Sequence, residues 1–111
     1  MQDSIEAKLI KLSERLSEIE KQLIEESSTL NQDDLISLNK EFSHIQPIVG
    51  LYSKYLKALD ENTQAESLSK SDDNEIQELA QTEMQETENL MNEILAELKL
   101  MLLPVDEDDE R

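Results

Sequence analysis

Leu35, Leu38, Phe42, Ile45, Val49, Tyr52, Leu56 and Leu59 recur at spacings that alternate between three and four, and no other feature of the chain restricts its fold so tightly. That alternation keeps one stripe of an α-helix apolar, whereas a half-buried strand would repeat every second residue. The register passes through Pro47 and Gly50 without a break. A proline inside a helix removes one hydrogen bond and crowds the carbonyl four residues back, here that of Ser43, at about 3 kcal/mol in isolation. Because the apolar spacing continues across it, the pattern predicts one Pro-kinked helix rather than two helices.

Two further runs share this signature. Ile5, Leu9, Leu12, Leu16, Ile19 and Leu23 form a heptad seam, and Ile76, Ala80, Met84, Thr87, Met91, Ile94, Leu98 and Met101 form another, which Leu79, Leu90, Leu95 and Leu102 widen on one flank. Candidate caps precede each run: Asp3 with Glu6, Asn31 with Asp34, and Asp72 with Glu75. Ser27, Ser28 and Thr29 interrupt the first pattern, residues 60–71 lose the second, and Pro104 stops the third. The expected helices therefore span about 4–26, 32–66 and 73–103. Rods of this kind bury their seams against one another, so the expected fold is all-α: an elongated antiparallel three-helix bundle or coiled coil. Glycine occurs once, proline twice and aromatic residues three times, which argues against sheets and their glycine turns.

Charge separates the two halves of the chain. Residues 1–59 carry ten acids and seven bases, residues 60–111 carry seventeen acids and three bases, and the total is −17. Phosphate would be repelled by the second half, which should not bind nucleic acid directly, whereas the first half could. The absence of cysteine removes disulfides, thiolate metal sites and thiol nucleophiles together. No stretch approaches the roughly 20 apolar residues of a membrane span, and the N-terminus has neither leader nor transit character, so the expected location is cytoplasmic.

Few constellations could carry chemistry. Glu41 and His44 stand at the Glu-x-x-His spacing of di-iron bundles, but those sites need two such motifs and His44 is the only histidine. Serine hydrolysis needs an oxyanion hole, usually on a tight glycine turn, and the lone Gly50 sits in mid-helix. The glutamates lie on outer faces where water solvates them, which is no place for a pKa-tuned acid–base pair. Three of the four methionines, Met84, Met91 and Met101, fall on the third helix and could line an adaptable groove or simply fill gaps in the core. Lys8, Lys11 and Arg15 share one face at spacings of three and four, with Lys54 and Lys57 as a smaller pair. They form either a contact surface for phosphate or an acidic partner, or the ordinary charged flank of a heptad helix. No catalytic, cofactor or metal residue is expected.

Two segments are more distinctive. Residues 38–57, centred on Pro47-Ile48-Val49, resemble the segment around the Pro-Ile-Val of bacterial type-1 peptide chain release factors, which read the UAA and UAG stop codons. Residues 102–111, Leu-Leu-Pro followed by an acidic run, are similar to that family's junction between N-terminal helical domain and core, and Ile5–Leu16 fits its start. Val105 and Glu107 replace the Lys and Pro more usual after Leu-Leu-Pro. The resemblance covers the whole chain. It implies a helical N-terminal domain over 1–104 and an acidic junction, 105–111, to a core absent from this chain. It also implies a role in stop-codon-dependent release of the nascent peptide, with partners at the large-subunit stalk base, the GTPase-associated centre and the class II release factor GTPase. The family's Gly-Gly-Gln loop and Pro-x-Thr-type codon reader are not in this sequence, so by itself the domain would be non-catalytic. On that reading the basic face of Lys8, Lys11 and Arg15 turns toward ribosomal RNA or the stalk-base protein, and the acidic third helix faces solvent or a basic protein. The alternative is a free-standing acidic coiled-coil adaptor that dimerises through its heptads.

Overall fold

The computed structural model describes residues 3–103. The fold is an all-α helical bundle: three helices, α1 (Asp3–Glu25), α2 (Gln32–Leu68) and α3 (Asn74–Met101), make up 87% of the described residues, which contain no strand. The chain divides into two compact units, one ending at Lys54 and the other beginning at Tyr55, and α2 contributes to both.

The first unit is a hairpin of α1 with the leading part of α2. Its core is Leu16, Ile19 and Ile45, with Leu12, Leu23, Leu38, Phe42 and Val49 packed around them. These residues come from the heptad seams of the two helices, so each seam is covered by the other within one chain. The connection is short and self-satisfied. The Glu26 carbonyl accepts from the Thr29 amide at 2.9 Å, the Leu30 amide at 3.0 Å and the Thr29 hydroxyl at 2.9 Å, which ends α1 at the Ser27-Ser28-Thr29 break. Asn31 then caps α2: its Oδ1 accepts from the Asp34 amide at 2.8 Å. At the other end Asp3 already lies inside α1, so it does not precede the helix as a cap.

α2 runs through Pro47 as one element. Pro47 and Ser43 are both exposed, so the carbonyl deprived of its amide partner lies on the side that water can reach.

In the second unit the trailing part of α2 pairs with α3 across the turn at 69–73. Tyr55, Ala58 and Ala65 of α2 are buried, as are Ala80, Thr87, Ile94 and Leu98 of α3. Asn62 Nδ2 donates to the Thr87 hydroxyl at 2.9 Å and to the Met84 carbonyl at 3.1 Å, a polar tie between the two helices. The expected seam is corrected here: Leu56 and Leu59 stay exposed, and the buried stripe runs instead through Tyr55 and Ala58. The register of α2 against α3 puts Tyr55 and the small Ala58, Ala65 and Ala80 in the contact, and the leucines one position on from Tyr55 and Ala58 fall outside it. The cap of α3 also shifts by one residue from the expected Asp72. Asp73 is the N-cap, in extended backbone, and its Oδ1 accepts from the Glu75 amide at 2.9 Å. α2 persists to Leu68, with Asn62 and Thr63 bonded within or across the pair, and the Leu102 amide closes α3 on the Leu98 carbonyl at 2.9 Å. Met1, Pro104 and the acidic 105–111 lie outside the described residues.

Candidate functional site

The basic face of α1 is set by the α1–α2 packing. Leu12, Leu16 and Ile19 turn inward, which leaves Lys8 and Lys11 exposed and brings Arg15 to the edge of the core beside Phe42's neighbour, Glu41. Arg15 is engaged twice over. Its Nε and Nη2 donate to the two carboxylate oxygens of Glu41 at 2.6 and 2.7 Å, and its Nη1 donates to Glu18 at 2.7 Å. The fork-on-fork geometry fixes direction as well as distance.

The electrostatics follow from that contact. Hydrogen bonds from Arg15 hold the Glu41 carboxyl below the usual glutamate range, against an opposing effect of desolvation and with help from the guanidinium charge. The same hydrogen bonds hold Arg15 still further above its ordinary range. Both side chains keep more than a third of their surface exposed, 35% and 39%, so water screens the pair and its net worth is about 1 kcal/mol or less.

The three basic residues therefore divide by role. Lys8 and Lys11 stand in solvent as compact point charges, whereas Arg15 is held against α2 by a residue 26 positions away. Glu41 is likewise taken up by Arg15, and His44 is exposed on the next turn. Among the described residues no three His, Cys, Asp or Glu side chains stand where they could share a metal ion. Lys54 and Lys57 are both exposed on α2, and Met84, Met91 and Met101 are half-buried along α3. No described helix is long and apolar enough to cross a membrane.

Two features escaped sequence reading. One is the Arg15–Glu41 clasp, for which the only local signal was that both residues flank apolar seams. The other is on α3, where Leu79 and Leu90, expected to widen the core, are 72% and 44% exposed.

Helix-on-helix packing and exposed charge define the class: an acidic all-α domain whose available groups suit contacts with other macromolecules. A family model for the PCRF domain, the domain characteristic of peptide chain release factors, matches residues 12–111, and the chain belongs to that family. Membership carries a release-factor-like role in translation termination, and with it interaction with the ribosome. No solved structure matches the chain.

Proposed function

We propose that this chain is the N-terminal interaction domain of a type-1 factor, which acts in the cytoplasm in stop-codon-dependent release at UAA and UAG. Codon reading and hydrolysis belong to other regions of that factor, since the sequence in hand has neither Gly-Gly-Gln nor a Pro-x-Thr-type tripeptide. The domain orients the factor at the stalk base of the large subunit, near the GTPase-associated centre and the class II GTPase. The observation that carries this reading is the PCRF-domain match across residues 12–111. Pro47-Ile48-Val49 and the Leu102-Leu103-Pro104 junction support type 1.

Lys8 and Lys11 are the groups of the basic face with charge to spare for phosphate; Arg15 keeps the face in place through Glu41. In a factor carrying this domain, Lys8→Glu with Lys11→Glu raises the half-saturating factor concentration several-fold and makes its salt dependence shallower, while release at saturation is unchanged. Unchanged half-saturation and salt slope would remove these lysines from the ribosome contact. Burial of the α1 seam against the leading part of the α2 seam within one chain favours this reading over an adaptor that dimerises through its heptads. A stable parallel dimer in sedimentation would reverse that preference.

A further inference from the structure

Where α2 ends and α3 begins, the second unit leaves apolar surface in the open. Leu68 is 54% exposed, and Ile76 and Leu79, in the first turns of α3, are 38% and 72% exposed. With Ala80 they line an open groove of about 560 Å³, whose rim carries Glu83 and Glu86. Glu75 and Glu78 extend the acidic rim on the other side of Leu79. Scattered exposed leucines are ordinary on a protein surface; here three large apolar side chains are gathered in one concavity and edged by charge.

We propose that this groove docks a basic amphipathic helix of a protein partner, with apolar side chains over Leu68, Ile76 and Leu79 and lysines or arginines against Glu78, Glu83 and Glu86. Charge selects the occupant. The groove lies in the half of the chain with seventeen acids and three bases, a field that repels phosphate and speeds the approach of a cationic segment. A second copy would bring the same acids face to face with these. A small molecule would find an open trough rather than the enclosure that buries most of a ligand's surface. A helix meets both demands, because anchors at i, i+3, i+4 and i+7 fill an apolar trough while its flanks carry the charge. The proposal gives the acidic half a specific surface. It does not rest on the termination reading, which concerns Lys8 and Lys11 on α1.

The test is titration of the isotopically labelled chain with an amphipathic Leu/Lys helical peptide roughly five turns long. A Leu/Glu helix of the same pattern and a single-stranded RNA serve as comparison probes. The expected result is saturable binding by the Leu/Lys helix alone, with amide shifts confined to the surroundings of Leu68, Ile76 and Leu79. Leu79→Ser, and separately Glu83→Gln with Glu86→Gln, then weaken it about tenfold, a change of about 1.4 kcal/mol. Because all three positions are exposed, circular dichroism of the variants stays that of the parent. Any of four results would overturn the proposal: no saturable binding, shifts centred elsewhere, affinity indifferent to Leu79→Ser, or equal binding by the Leu/Glu helix or RNA. Self-association abolished by Leu79→Ser would also overturn it, assigning the groove to a second copy.

Discussion

Arg15 and Glu41 show how a surface charge becomes structural. Taken along α1 alone, Arg15 is one of three cations on a face; its position beside Leu16 brings it over the edge of the hydrophobic contact, where Glu41 of α2 meets it two oxygens at a time. Glu41 is held lower in the folded chain than in the unfolded one. A depressed carboxylate contributes stability that is fully present above its unfolded pKa, near 4.3, and that is lost as the pH falls through its folded value. Urea denaturation should therefore find Glu41→Gln less stable than the parent by about 0.5–1 kcal/mol at neutral pH, with the difference vanishing in acid once the pH has fallen through the folded value. A gap that persists in acid would mean that the pair works through packing rather than charge. Gln22, by contrast, has a buried Oε1 with no hydrogen-bond partner among the described residues, an unfavourable position that nothing in the fold explains.

At the scale of the element, α2 is the informative case. It carries Pro47 and Gly50, two residues that weaken helices, yet spans Gln32–Leu68 because partners cover its buried stripe along the way. Gly50 has no need to be glycine on conformational grounds: its φ is not positive and nothing lies within 4 Å of where a Cβ would sit. Gly50→Ala should stabilise the chain by about 0.5–1 kcal/mol, mainly by narrowing the unfolded ensemble, and should raise the urea midpoint. α3 shows the complementary effect. A two-helix contact covers one narrow stripe, so Ala80 and Thr87 go in while Leu79, adjacent to Ala80, stays out.

For the molecule as a whole, charge is the dominant long-range term. A net charge of −17 on 111 residues makes the folded chain repel itself, far more than one Arg15–Glu41 clasp can offset. Raising the salt from about 0.05 to about 0.5 M shortens the Debye length from well over 10 Å to less than half that, and the melting temperature should rise, followed by circular dichroism. A fall would show that specific ion pairs outweigh general repulsion. The charge is unevenly spread, with seventeen acids and three bases in residues 60–111 against ten and seven in residues 1–59, so the repulsion is concentrated in the second half of the chain.

The all-α class, the three helices and the inward residues of α1 were legible in the residues themselves, because 3–4 apolar spacing and caps such as Asn31 are local and additive. So was the exposed pair Lys8 and Lys11. Tertiary structure alone decided that Arg15 pairs with Glu41, that Tyr55 and Ala58 displace Leu56 and Leu59 from the buried stripe, and that Leu79 remains in water. Each of these depends on which helix lies opposite and in what register, and a heptad pattern on one helix says which side is apolar without saying how much of it a neighbour will cover.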